Sequence, residues 1–482
     1  MFLSNWLVFK IVLAAVTGLV DYPLAADVLL VYDNANKLYL SGGSLEYVSN
    51  VVLYKGETSY EIEGPNVITG DEQKITASNA NADDEFGISV AISGDYAIVG
   101  AKFGDEASTS NAGAAYIFKH NGTSWSEQQI ITASNPDTND YFGESVSISG
   151  DYAIVGANRE NGEAGAAYIF KRSGTSWSEQ EKITASDVAS GDRFGWSVSI
   201  SGDYAIVGAY AHDSSAGAAY IFLRSGTSWA QQDKLTASNA ASNKLFGYSV
   251  GISGDYAIVG ARGEGAYIFI RSGTSWSEQQ SLTASDAEAS DYFGWSVGIS
   301  GDYAIVGAKY EDDGGTNAGA AYIFKRNGTS WSQQSKLTAS DAYDNDQFGH
   351  SVSISGDYAI VGAWYEDDGG ADAGATYIFK RSGTSWSEQQ KLTASDIAIG
   401  DEFGYSVGIS GDYVIVGARY EDDGGANAGA AYIYPLKEVT NYYITQPGTY
   451  RADLQICGID YKTNEVEVTG SVTPEKSFPS VS

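Results

Sequence analysis

Large apolar and small residues alternate through an eight-residue run that recurs along the chain, the period of two that sends alternate side chains to opposite faces of a β-strand. In its fifth occurrence the run is Phe293-Gly294-Trp295-Ser296-Val297-Gly298-Ile299-Ser300. Gly301-Asp302 breaks it with the residues of a tight hairpin, and Tyr303–Ala308 predicts a second strand. After a Gly- and Asp-rich loop, Ala320-Ala321-Tyr322-Ile323-Phe324 predicts a third strand. Past the turn at Arg326-Asn327-Gly328, Trp331 to Thr338 predicts a fourth. The units open at Phe86, Phe142, Phe194, Phe246, Phe293, Phe348 and Phe403, spaced 47 to 56 residues apart. Four antiparallel strands in about fifty residues, copied in tandem, make the blades of a β-propeller. A residue present in every copy builds the array; function belongs where the copies differ.

The ends of the array predict how it closes. Leu/Ile-Thr-Ala-Ser, the end of the fourth strand, occurs first at Ile75–Ser78, ahead of the first Phe-Gly, and no fourth strand follows Tyr434. Pairing of Gln73–Ser78 onto the last blade would leave no open sheet edge. The expected fold is therefore all-β: a seven-bladed β-propeller of four-stranded blades over residues 71–436, closed by an N-terminal strand.

Phe-Gly-x-Ser-Val, Val-Gly-Ala and Gly-Ala-Ala-Tyr-Ile-Phe, in phase over residues 71–434, resemble the FG-GAP repeat. That repeat is the blade of the propeller in integrin alpha subunits, and the Leu-Thr-Ala-Ser-Asp lead-in looks like its bacterial-type variant. The resemblance implies a cup of aromatic side chains at the mouth of the channel, where a partner protein docks. Two features depart from the family pattern. Lys102, Asn158, Tyr210, Arg262, Lys309, Trp364 and Arg419 stand where the family has proline. Integrin-type repeats carry a calcium loop between the first two strands, but here the connection is only Ser93-Gly94-Asp95. That turn is too short to wrap a cation needing roughly six to eight oxygens, so those calcium sites are not carried over.

In a four-stranded meander the blade-to-blade loops and the second-to-third-strand loops share one face. That face receives the divergent, acidic segments, including Tyr310-Glu311-Asp312-Asp313, Tyr365-Glu366-Asp367-Asp368 and Tyr420-Glu421-Asp422-Asp423, each followed by Gly-Gly. Carboxylates beside glycines can supply several hard oxygens to calcium, so Glu311, Asp312, Asp313, Glu366, Asp367, Asp368, Glu421, Asp422 and Asp423 are the candidate metal ligands; a solvated acidic turn is the competing reading. The opposite face receives near-identical turns with Lys or Arg nearby. The position after Phe-Gly, at the start of the innermost strand, also varies: Ile88, Glu144, Trp196, Tyr248, Trp295, His350 and Tyr405. Rings converging on one mouth can stack on a sugar or cage a basic side chain. Trp196, Tyr248, Trp295, His350 and Tyr405 are the candidate ligand-binding residues, against the alternative that they pack between blades.

Composition narrows the partners. The net charge of −33 disfavours nucleic acid and anionic membrane surfaces, both of which need a positive protein surface. One cysteine, Cys457, excludes an intrachain disulfide framework, and three scattered histidines argue against a multi-histidine metal centre. Lys10, the apolar stretch Ile11–Val20 and the small residues Ala25 and Ala26 make residues 1–26 an expected export signal, with an uncleaved anchor as the alternative. A secreted or cell-surface protein follows. Residues 27–70 and 437–472 read as β-hairpins too few to stand alone; together their strands suit a split immunoglobulin-like sandwich. Residues 473–482 read as a disordered tail.

Function is expected to be non-enzymatic recognition or adhesion by a monomeric propeller, binding a protein or glycan through the aromatic mouth, with calcium as a candidate assistant. No nucleophile elbow, zinc-binding histidine pair or phosphate loop stands out. Two alternatives remain: a polysaccharide-active enzyme using carboxylates at the same face, and a purely structural surface protein.

Overall fold

The computed structural model describes residues 72–105, 109–288 and 290–436 in full, and outside them only the backbone of short strands. Gly70–Leu436 is one unit, built of seven four-stranded antiparallel sheets, each a meander from innermost to outermost strand. In blade five the strands are Phe293–Ser300, Tyr303–Ala308, Ala320–Asn327 and Ser330–Leu337. Blade seven takes its fourth strand from the start of the unit. Gln73–Ile75 pairs with Ala430–Pro435, Ile75 opposite Ala431 and Gln73 opposite Ile433. This is the closed all-β propeller that the strand arithmetic predicts.

The Phe-Gly pair makes a turn before it makes a strand. The amide of Ile88 donates to the carbonyl of Glu85 at 3.1 Å. Gly87 lies at φ +92, the conformation that the third residue of a type II turn requires and glycine adopts without steric cost. The turn inserts two residues into the ladder: Phe86 pairs with Ala101, but it is Ser89 that pairs with Gly100. Such a bulge re-aims side chains, and it frees the residue after Phe-Gly from the sheet. The phenylalanine turns the other way. Phe86 is fully buried, with edge contacts to Tyr116 (5.2 Å) and Phe118 (6.0 Å) of its own blade.

Blades cohere through surfaces that none could bury alone. Ile98, Ala115 and Ile117 of blade one share a core with Phe142, Val146 and Val155 of blade two. The glycine of Val-Gly-Ala marks the tightest approach, because a methyl group on Gly100 would lie 2.0 Å from the Gly143 carbonyl oxygen in the next blade. On the outer strands the Gln129 side chain donates to the Trp177 carbonyl (2.7 Å) and accepts from its amide (2.8 Å). Gln73 grips Trp125 in the same way across the closure. On the face of identical turns, Arg172 pairs with Asp151 and lies 4.5 Å over Tyr96 of the preceding blade. Arg224, Arg271, Arg326 and Arg381 repeat the contact. The basic residues of that face are thus consumed by the framework.

The second unit comprises Met1–Thr69 with Lys437–Ser482. Within it Val48–Lys55 pairs antiparallel with Gly448–Ile456, Val51 opposite Leu454. Thr58–Tyr60, Ile459–Lys462 and Val466–Val468 extend that sheet to five strands. The leader expected over residues 1–26, apart from the strand Leu7–Lys10, and the tail 473–482 lie outside the described residues. Among the described residues no helix is long and apolar enough to cross a membrane.

Candidate functional site

The turn at each Phe-Gly delivers one side chain per blade to the mouth of the channel. Consecutive blades bring these residues into ring contact: Trp196 with Tyr248 at 5.4 Å, Tyr248 with Trp295 at 5.0 Å, Trp295 with His350 at 5.6 Å, and His350 with Tyr405 at 4.9 Å. All five sequence-predicted ligand-binding residues therefore share one site. His350 is buried and the other four are half-buried.

A second set, which sequence reasoning noted only as a departure from the family, slots between them. The residue after Val-Gly-Ala in one blade lies between its own blade's mouth residue and the next one's. Tyr210 touches Trp196 (4.9 Å) and Tyr248 (5.6 Å). Arg262 lies over Tyr248 (5.4 Å) and Trp295 (4.8 Å). The Lys309 ammonium is 3.5 Å from the centre of the Trp295 ring. Trp364 packs on His350 (4.5 Å) and Tyr405 (5.3 Å), and Arg419 lies 3.9 Å over Tyr405. The signal that could have found them is the variability already used for the first set. Tyr292, Tyr310, Tyr365 and Tyr420 surround this ring, each half-buried.

Charge is distributed unevenly around the mouth. On the side of blades seven, one and two, cations meet carboxylates: Arg419 donates from Nε to Glu402 (2.6 Å), and Lys102 lies 3.1 Å from Glu85 and 3.9 Å from Glu144. On the side of blades four and five, Arg262 and Lys309 form no ion pair or hydrogen bond with any described residue; rings alone hold them. Lys309 is only 4% exposed. Burial, reinforced by the Arg262 charge, pushes its amine down to about 7. His350 beside it is held well below the usual imidazole range by burial and by the charges of Lys309 and Arg419. Its Nδ1 is buried without a partner, as are both amide atoms of Asn158 on the far side of the ring.

The acidic loops behave in the opposite way. In blade five the ammonium of Lys336, from the outermost strand, sits 2.8, 2.7 and 2.6 Å from Asp286, Glu311 and Asp313. Lys391 does the same with Asp341, Glu366 and Asp368, and Lys74 with Asp396, Glu421 and Asp423. The facing oxygens of each trio lie within 4.8 Å of one another, close enough to hold a metal ion. A lysine ammonium already stands among them. Burial works against each lysine's charge, but the hydrogen bonds to three carboxylates hold its amine above the usual range. Burial pushes the carboxyls of Glu311 and Glu366 up, and their second oxygens are buried without partners.

Six of the nine predicted metal ligands thus belong to trios, and three do not. Asp312, Asp367 and Asp422 instead accept the backbone amides of Asn317, Asp372 and Asn427 at 2.6–2.8 Å, pinning their own loops. Each third trio member, Asp286, Asp341 or Asp396, comes from a blade-to-blade loop. A later aspartate of each of those loops is structural: Asp291, Asp346 and Asp401 each accept the amide three residues earlier at 2.8 Å, as Asp140 does in an earlier loop. A cleft of about 670 Å³ lies between Asn135–Asp140 and Arg159–Glu163. Its buried Glu160 is already engaged by Lys182 and Tyr168, so it offers no free group comparable to those at the mouth.

A family model described as the FG-GAP repeat matches residues 69–118, 125–170, 177–222, 229–274, 276–324, 331–379 and 386–434. No curated protein matches the chain. Among solved structures, the β-propeller domain of Myceliophteria thermophila Cps50 (Swd1) aligns with a TM-score of 0.49 at 10% identity, covering 76% of this chain and 100% of its own. The computationally designed protein Ika8 aligns with a TM-score of 0.44 at 9% identity, covering 83% and 92%.

Proposed function

The chain belongs to the FG-GAP repeat family, and from that premise we propose that it is an exported, non-enzymatic recognition protein that binds a glycan or protein at the mouth of its propeller. One observation carries the reading: side chains that vary between blades converge on one continuous ring, from Trp196 to Arg419, while the repeated residues are used up in turns, cores and blade contacts. Rings with polar edges around buried, unpartnered polar groups suit a ligand that contributes both stacking surface and hydrogen bonds. Calcium has no part in this reading, because the ammonium groups of Lys74, Lys336 and Lys391 already stand among the carboxylates that would ligate it. Catalysis has less support: the carboxylates nearest the mouth, Glu85, Glu144 and Glu402, face Lys102 and Arg419.

The test is a glycan and protein binding array probed with the full chain and with a Trp196→Ala/Trp295→Ala variant. The reading predicts a ligand that the wild type retains and the variant loses, with the cooperative melting transition kept. Binding that persists in the variant would move the site elsewhere, and release of a shortened glycan would replace recognition with catalysis.

A further inference from the structure

We propose that Arg262 and Lys309 form an anion subsite on the blade-four and blade-five side of the mouth, which receives the carboxylate of an acidic saccharide. This rests on the recognition reading above and names its ligand class. In a chain of net charge −33, an unpaired lysine that is 4% exposed is an expensive feature, because a buried charge normally needs a partner. Lys309 has only rings and a second cation near it. The adjacent positions before Phe-Gly supply no acid either: they are Leu245, Tyr292 and Gln347, where blades seven and one have Glu402 and Glu85.

The same geometry argues against a cationic ligand. The ring faces that could cage a ligand's ammonium group already hold the protein's own cations, Lys309 on Trp295 and Arg419 on Tyr405. What is missing is an acceptor. A carboxylate would accept from the Lys309 ammonium, a strong charge-assisted arrangement, and the Arg262 guanidinium, which lies against the same Trp295 ring, would add its charge. A pyranose carrying that carboxylate would set its C–H faces against Tyr292, Tyr310 and Tyr365, half-buried rings with polar edges.

Calorimetry on the full chain would compare oligogalacturonate, its methyl ester and oligoglutamate. The acidic saccharide should bind at least about tenfold more tightly than the ester, the worth of one or two charge-assisted hydrogen bonds. Lys309→Met and Arg262→Met should each abolish that preference, and Lys309→Arg should keep it, with all variants melting cooperatively. Affinity should weaken between pH 6 and 8 as Lys309 loses its proton, a dependence absent from Lys309→Arg. Equal binding of acid and ester, or a preference for the acid that both Met variants keep, would overturn the subsite and leave saccharide recognition standing. Binding of oligoglutamate but not the saccharide would overturn the ligand class, and binding of none of the three would overturn the subsite.

Discussion

The rim of blades five to seven and the mouth of blades four and five handle charge in opposite ways. At the rim, three carboxylates enclose one lysine in each blade, with contacts of 2.6–2.8 Å. At the mouth, Arg262 and Lys309 have rings and no carboxylate. The conspicuous acidic loops therefore spend their carboxylates on internal contacts with lysines and backbone amides, and the charge left without a partner of opposite sign is cationic and hidden. Net charge and local density of Asp and Glu describe solubility well, but they misidentify which groups remain free to meet a ligand.

Removing a cation from each region should separate them most sharply. Lys391→Met leaves buried Glu366 facing two aspartates. Because only one of the three acids is buried, the expected loss is about 2–3 kcal/mol, read as a lower denaturant midpoint at unchanged slope. Calcium should then restore part of it, since the emptied trio has the spacing of a cation site. Lys309→Met should be neutral or stabilising by up to about 1 kcal/mol, because it relieves a buried charge without orphaning a partner. A large loss at Lys309 would mean that the mouth is framework.

Titration sharpens the same contrast. Between pH 7 and its ordinary value of 10.5, Lys309 binds fewer protons folded than unfolded, so its contribution to stability rises with pH across that window. The rim lysines, whose amines are raised, contribute stability that persists through the same window and is lost only above it. Thermal melts of wild type against Lys309→Met from pH 7 to 10 should therefore converge or cross in favour of the wild type. The turn aspartates run the other way. Burial raises Asp140 and Asp401 to about 6 and Asp346 to about 7, so stability should fall as pH rises from 4 to 7, and Asp346→Asn should flatten that fall. The smallest expected effect is that of chelation. EDTA should leave the wild-type melting temperature unchanged, because a lysine ammonium already stands among the carboxylates of each trio; a clear drop would restore calcium to the rim.

Much of this was legible in the sequence for a simple reason. Strand period, Gly-Asp turns and an orphan Ile75–Ser78 are local or countable features, and they were enough for the blades and their closure. The convergence of Trp196, Tyr248, Trp295, His350 and Tyr405 followed from meander geometry, since equivalent positions must meet at the axis. Pairing across loops was not legible. Lys336 lies on an outer strand 23 residues from Asp313 and 50 from Asp286, and no local pattern announces that its ammonium reaches both. The interleaving of Arg262 and Lys309 was hidden for a related reason: it depends on which side chain of one blade fills the gap beside the next.

Lysine-selective NMR of the full chain, following each side-chain resonance against pH, tests the account most directly. The account predicts that Lys309, assigned by its loss in Lys309→Met, titrates near 7 while Lys336 and Lys391 stay protonated beyond pH 10. A Lys309 that titrates with the bulk of the lysines near 10.5 would contradict it, because the mouth would then hold no uncompensated buried cation.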